Sequence, residues 1–119
     1  MKRTEIENSL IDLNSLILEG RIMEAFEKYY HPDVTMQENE ELPVTSKEEN
    51  RKRELEFMDN VTDFRKAEVK GVGIGDEISF VIWYYDYTHK EWGVRNYSQV
   101  SIQQWKDGKI IREQFIYPS

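Results

Sequence analysis

The sequence predicts an α+β fold in which helices near the amino terminus pack on one face of a mainly antiparallel sheet. Apolar residues recur every three or four positions in the first half, and the period changes to two from Phe64 onward. The first 60 residues carry 15 acidic and 8 basic side chains, whereas ten of the 15 aromatic residues lie between Phe80 and Tyr117. This contrast predicts an acidic helical layer on an aromatic sheet, and the order of elements disfavours a parallel βαβ fold.

Two amphipathic helices open the chain. Thr4 and Glu7 have capping-box spacing, and the apolar repeat that follows them continues to Gly20. A shorter apolar repeat begins at Ile22 and must end near His31–Pro32, because the residue before a proline disfavours the helical region. We therefore expect a helix, a glycine break and a second, shorter helix.

A short strand and a third helix come next. Val34–Asn39 has the pattern of a strand, and residues 40–45 have the composition of a loop. Ser46 and Glu49 make a second capping box, which predicts a charged helix whose apolar residues lie toward its end, near Val61. Three helices are thus predicted on one side of the sheet.

The second half of the sequence predicts consecutive antiparallel strands. A change of parity across Gly71 predicts a β-bulge, since a missing side chain permits the kink. Asp107–Gly108 predicts a two-residue hairpin turn, which requires positive φ, before a last strand over residues 109–117. The strand at residues 77–88 is apolar on both faces, so both faces need cover, and the pattern leaves open which face is internal.

Composition excludes several classes of function. The chain has 119 residues, which predicts one domain over residues 1–119. Its net charge of −7 and its lack of a basic cluster argue against a nucleic-acid partner. The longest apolar stretch, Phe80–Tyr85, is far shorter than the roughly 20 residues of a membrane span, so we expect no membrane partner and a cytoplasmic location.

The sequence gives no signal for a metal or a cofactor. It contains no cysteine, which removes thiolate nucleophiles and thiolate metal sites together. His31 and His89 have no partner at metal-ligand spacing. The glycines of residues 71–75 lack dinucleotide-binding spacing and lie in a strand. We therefore expect neither a metal nor a cofactor.

Four segments in this order resemble the SnoaL-like branch of the nuclear transport factor 2-like superfamily. They are Leu18–Arg21, Glu24–Phe26, Tyr30–Val34 and Lys106–Ile111, and the resemblance spans essentially the whole chain. It implies a strongly curved sheet wrapped on three helices as a conical half-barrel, with a pocket at the wide end. It also implies a dimer through the outer face of the sheet and a small, partly apolar ligand.

Two glutamates are the candidate catalytic residues. On the last strand Glu113 shares parity with Ile111, Phe115 and Tyr117, so it is expected on an otherwise apolar face. By the same alternation Glu38 points inward from the first strand. Burial raises the pKa of a carboxylic acid toward working pH, which suits it to general acid or base catalysis. The alternative is that each carboxylate forms a structural ion pair with an arginine, namely Arg51, Arg53 or Arg95.

The candidate ligand-binding residues are aromatic, amide and guanidinium side chains expected near the same pocket. For those on the third helix the alternative is a solvated charged surface, and for the aromatic residues it is ordinary packing. Phe115 stands where the family's hydrolases and cyclases often carry an aspartate. This difference puts those two reactions in doubt. The full set is Tyr29, Asn50, Arg53, Trp83, Tyr85, Tyr97 and Phe115.

Two classes of function stay open at this level. The first is a small-molecule enzyme of the isomerase, cyclase or dehydratase kind, with Glu113 or Glu38 as the acid-base group. The second is a non-catalytic ligand-binding or dimerisation module in which the same acids are structural. In both cases we expect a homodimer through the sheet, because three helices on one side cover only one apolar face.

Overall fold

The computed structural model describes residues 1–118, and it contains three helices and a six-stranded sheet. Two helices come first, and the third follows two strands instead of continuing the amino-terminal pair. The elements are α1 (Arg3–Leu18), α2 (Ile22–Tyr29), β1 (Tyr30–Glu38), β2 (Val44–Thr45), α3 (Lys47–Asn60), β3 (Val61–Ile74), β4 (Ile78–His89), β5 (Gly93–Lys106) and β6 (Lys109–Ile116).

The sheet has the strand order β2-β1-β6-β5-β4-β3. All neighbouring strands are antiparallel except β1 and β6, which pair in parallel. Because β2 and β3 are its two edges, the sheet curls without closing. In the part of the chain that the structure describes, no helix is both long and apolar enough to span a membrane.

The helix boundaries are close to the predicted ones, with two corrections. The first helix begins at Arg3, and Glu5, not Glu7, accepts the hydrogen bond from the backbone N–H of Lys2. The Thr4–Glu7 capping box is therefore wrong. The second box is confirmed in its first half, because Ser46 Oγ accepts from the backbone N–H of Glu49 at 3.2 Å, while the backbone N–H of Ser46 donates to Val34 O instead of to the Glu49 side chain.

The first strand starts earlier than the sequence predicts. It begins at Tyr30, directly after α2, so His31–Pro32 lies inside the strand instead of between helix and strand. The expected loop at residues 40–45 also contains the short strand β2, which pairs with Thr35 and Met36. These two changes extend the sheet on the side that faces α3.

Two predicted features of the long strands are present, the bulge in β3 and the turn before β6. The pairing of β3 with β4 shifts between Val69 and Gly71, which confirms the bulge. Asp107 and Gly108 have φ of 53° and 81°, which confirms the hairpin turn. Two further irregularities in β3 add to the bulge, and such irregularities increase local twist, which curls the sheet around the helices.

The structure shows which face of β4 is internal. Val81, Trp83 and Tyr87 are buried against the helices, whereas Phe80 on the opposite face is 43% exposed. Val34 on β1 and Ile110 on β6 complete the same buried layer. The internal face of the sheet and the three helices enclose the space in which the site lies.

Candidate functional site

A cavity of about 750 Å³ lies between the inner face of the sheet and the helices. Its wall is mainly apolar and aromatic, and most of its polar side chains come from β1, α3, β5 and β6, with Asn14 of α1 and His89 of β4 beside them. Eight of the nine predicted site residues line it: Glu113, Glu38, Asn50, Arg53, Trp83, Tyr85, Tyr97 and Phe115.

Tyr29 is the exception, and its placement corrects the prediction. Its hydroxyl donates a hydrogen bond to the Asp12 carboxylate, and its ring packs edge-on against Trp105 at 6.4 Å. The next residue, Tyr30, lines the cavity instead. The chain changes from helix to strand between these two residues, and no pattern in the sequence shows which tyrosine turns inward.

Glu113 is the most buried acid in the cavity wall, with 2% of its surface exposed. The Tyr30 hydroxyl donates to its Oε1, and Gln103 Nε2 donates to its Oε2 at 3.0 Å. Arg51 pairs with Glu27 at 2.6 Å, and neither Glu113 nor Glu38 forms a salt bridge with any residue from 1 to 118. The alternative of an arginine ion pair is therefore not found in the structure.

A chain of buried hydrogen bonds ends on Glu113. We call it the directional chain, because each donor in it points toward the next group. Trp105 Nε1 donates to Ser79 Oγ at 2.9 Å, and Ser79 Oγ donates to Gln103 Oε1 at 2.7 Å. Because the Gln103 oxygen is held by Ser79, its amide nitrogen must face Glu113. The chain therefore presents a fixed donor to the carboxyl group.

Burial and these donors act in opposite directions on Glu113. Desolvation raises the pKa of Glu113 to about 7, and the charges of Glu54 and Glu38 add to the rise, while the donors Tyr30 and Gln103 oppose it. The carboxyl group therefore exists in both protonation states near neutral pH.

Glu54 is a second acid that the sequence analysis did not select as catalytic. It lies on α3, lines the cavity and is half-buried. Burial raises the pKa of Glu54 to about 7, with a further rise from Glu38 and a decrease from Arg53. Glu54 follows Asn50 by four residues and Arg53 by one, and its four-residue spacing from Asn50 places it on the same side of the helix. This spacing is the feature of the sequence that could have identified it.

Glu38 is half-buried and completes a group of three acids in the wall. Burial raises the pKa of Glu38 above its usual range, although the Tyr117 hydroxyl and the Arg53 guanidinium oppose the rise. Within residues 1–118, the His, Asp and Glu side chains form no group of three that could hold a metal ion.

Asn50 has a structural role that its position on a charged helix does not suggest. It is 3% exposed, and its Nδ2 lies 2.9–3.3 Å from the backbone oxygens of Ser46, Val44 and Val34. This amide fixes α3 to β1 and β2, and so it sets the distance between Glu54 and the sheet.

Aromatic rings form most of the remaining wall. Trp83 and Tyr85 stack at 5.4 Å, and Tyr85 meets Tyr97 edge-on at 6.2 Å. The hydroxyls of Tyr87 and Tyr97 are 2.8 Å apart. The Tyr85 hydroxyl makes no hydrogen bond to any residue that the structure describes, so it is a donor free to meet a ligand.

These observations fit one family. The model of the SnoaL-like domain family matches residues 3–117. The chain belongs to that family. Among curated proteins, none matches the sequence significantly. The fold and the matched range together confirm the resemblance to the SnoaL-like branch of the nuclear transport factor 2-like superfamily.

Solved structures show the same architecture in other SnoaL-like and related proteins. A proposed SnoaL-like polyketide cyclase from Mesorhizobium loti is 25% identical, with a TM-score of 0.85, over 94% of this chain and 98% of its own. An NTF2-like protein of unknown function from Burkholderia pseudomallei is 10% identical, with a TM-score of 0.81, over 99% and 92%. AclR, a proposed hydroxylase from Streptomyces galilaeus, is 14% identical, with a TM-score of 0.74, over 98% and 80%.

The directional chain can be tested by removing Ser79. In Ser79→Ala the Gln103 amide loses the bond that orients it, so its donation to Glu113 weakens and the pKa of Glu113 rises above about 7. A raised pKa in the folded state means that stability falls as pH rises from the unfolded value of about 4.5 to the folded value. Urea unfolding from pH 4 to 9 should show this fall extending to higher pH in Ser79→Ala than in the wild type.

Ser101→Ala is the matched control for this experiment. Ser101 is also buried on the inner side of the sheet, but it accepts only from Gln99 Nε2, at 3.1 Å, and does not contact Glu113. We expect its loss to lower stability without moving the end of the pH-dependent fall. Identical pH profiles for the two variants would contradict the directional chain.

Proposed function

We propose that the chain binds a small, partly apolar ligand in its conical cavity and that Glu113 transfers a proton to or from that ligand. The observation that supports this most strongly is a carboxyl group that is 2% exposed, lies in the wall of an aromatic cavity and has a pKa of about 7. A volume of about 750 Å³ is within the range of small-molecule sites.

Glu113 is suited to both directions of proton transfer. At neutral pH its carboxylate can accept a proton from a carbon next to a carbonyl group, and its protonated form can return that proton to another atom of the ligand. Isomerisation, cyclisation and dehydration all use such a step. One similar structure, from Mesorhizobium loti, is that of a proposed SnoaL-like polyketide cyclase, which makes cyclisation one candidate reaction at this site.

Tyr85 is the donor that we assign to the ligand's oxygen. Burial and the charge of Glu113 raise the pKa of Tyr85, so the hydroxyl keeps its proton at neutral pH. A hydrogen bond from this hydroxyl to a carbonyl oxygen would stabilise the negative charge that forms there when Glu113 removes a proton.

A non-catalytic binding module is the second candidate. It is favoured by one observation: both oxygens of Glu113 already accept hydrogen bonds, from Tyr30 and Gln103. In that case Glu113 would mainly organise the sheet, and the cavity would hold a ligand without changing it.

The Glu113→Gln variant separates these two functions. Gln keeps the shape of the side chain and removes a buried charge, so folding should be retained and stability at pH 8 should rise by roughly 1–3 kcal/mol. Deuterium exchange at the α-carbon of small ketones in D₂O, followed by proton NMR, should slow by about 10²–10⁴-fold.

Glu48→Gln on the exposed side of α3 is the matched control and should leave the exchange rate unchanged. Exchange that persists in Glu113→Gln, or that is absent from the wild type, would contradict the catalytic role and favour the binding module.

We also propose that two chains associate through the outer face of the sheet. This face carries large apolar side chains, and Phe80 and Ile116 in it are 43% and 38% exposed. Neighbours on the same face extend it across the paired strands β4 and β5: Ile82, Val100 and Ile102. Such a surface is stabilised when a second copy covers it.

Light scattering at micromolar concentration tests this assembly. We expect about twice the chain mass of 14.3 kDa, and a shift toward the single-chain mass in Ile102→Glu, which places a charge at the centre of the surface. A single-chain mass for the wild type would contradict the homodimer.

A further inference from the structure

We infer that the ligand of this cavity carries a positive charge, as a protonated or quaternary amine attached to an apolar body. This inference rests on the proposed function, because it names the ligand class of the same site. The charge of the wall supports it, because five glutamates and two arginines line the cavity.

The acid end of the cavity has an excess of negative charge. Glu38, Glu54 and Glu113 lie near enough that the charge of Glu38 disfavours ionisation of the other two. Arg53 is the guanidinium beside them, and it is exposed. Three carboxyl groups therefore face one cation, and a positively charged ligand would relieve their repulsion.

Asn14 supplies an independent sign of a missing partner. Its side chain lines the cavity from α1 and is 9% exposed, yet its Oδ1 has no hydrogen-bond partner among residues 1–118. A buried carbonyl oxygen without a donor costs free energy, so a ligand that brings an N–H group would be stabilised there. This orphaned group is an acceptor, whereas the other buried unpaired atom in the described chain, Arg95 Nε, is a donor.

The aromatic wall favours the same charge. The stacked rings of Trp83 and Tyr85 line the cavity and carry no cation of the described chain, whereas the adjoining Tyr97 ring already lies against the Arg95 guanidinium. The face of an aromatic ring is the negative end of its quadrupole, and it attracts ammonium groups from which water has been removed. Apolar walls alone would accept a neutral ligand, but together with the three acids they favour an organic cation.

The remaining charged groups in the wall do not cancel this preference. Arg95 lies eight residues along β5 from Gln103, the residue that donates to Glu113, and this spacing is roughly 26 Å in an extended strand. The Arg95 guanidinium lies over the Tyr97 ring, at 5.2 Å from its centre. The other titratable groups in the wall, apart from the tyrosines, are His89, Glu56 and Glu91, and two of these are acidic. The aromatic rings beside these acids favour a larger organic cation over a bare metal ion.

Choline and its neutral isostere 3,3-dimethylbutan-1-ol provide the test. They differ mainly in one charged nitrogen in place of a carbon, so their affinity ratio isolates the charge. We expect choline to bind at least about tenfold more tightly in isothermal titration calorimetry. Because choline does not titrate, its affinity should rise from pH 6 to pH 8 as Glu54 and Glu113 lose protons, with proton release that is measurable in buffers of different ionisation enthalpy.

Substitutions of glutamates on α3 test whether the preference for a cation comes from the cavity. Glu54→Gln should reduce choline binding by tenfold or more and leave the isostere unaffected, while Glu48→Gln on the same helix should change neither. If Glu54→Gln fails to fold, the comparison of the two ligands in the wild type still decides the matter.

Failure of the cationic preference and failure of the proposed function give different results. Equal binding of the two ligands would overturn the cationic preference while the proposed function stands. Absence of choline binding at millimolar concentration would also overturn it. Fluorescence of the neutral probe N-phenyl-1-naphthylamine then shows whether the cavity binds apolar molecules at all, and no binding of that probe either would contradict the proposed function itself.

Discussion

The burial of one carboxyl group, Glu113, is the constraint on which much of this structure depends. Its two oxygens receive donors from Tyr30 at the start of β1 and from Gln103 on β5, and Gln103 is oriented in turn by Ser79 on β4. A single network of buried hydrogen bonds thus crosses the four central strands of the sheet. An unsatisfied member of such a network costs about 1–3 kcal/mol, so the strands are held in one relative position.

The same network gives the cavity its electrostatic character. Desolvation pushes Glu113 toward its neutral form, while fixed donors favour its charged form, and the pKa of about 7 reflects that balance. Glu54 reaches a similar pKa of about 7 without comparable donors, because burial and the charge of Glu38 dominate its environment. The aromatic wall limits access of water and strengthens these effects. The cavity therefore holds acids that change protonation state within the physiological range.

Residue patterns predicted the parts of this arrangement that depend on local periodicity. Alternation places Glu38 and Glu113 on the inner face, although a shift in the pairing of β5 with β6 makes Ile110, not the predicted Ile111, the buried residue at the start of β6. The Asp107–Gly108 turn follows from the φ values it requires. Other parts depend on contacts between distant segments. The choice of Tyr30 over Tyr29 is made where a helix becomes a strand. Two of the three carbonyl contacts of Asn50, those to Val34 and Val44, exist only once α3 lies against β1 and β2.

The inner face of β4 could not be chosen from the sequence for the same reason. Both faces are apolar, and only the position of the helices buries Trp83 and leaves Phe80 exposed. Glu54 lies on the same side of α3 as Asn50 and Arg53, but its partial burial depends on a cavity that no local pattern describes.

The most direct test of the account is a pH titration of the Glu113 carboxyl carbon by ¹³C NMR, assigned by its disappearance in Glu113→Gln. The account predicts a midpoint near pH 7, with a weaker second inflection from coupling to Glu54. A midpoint below about 5, the range of an exposed glutamate, would contradict the claim that this cavity holds a carboxyl group poised for proton transfer.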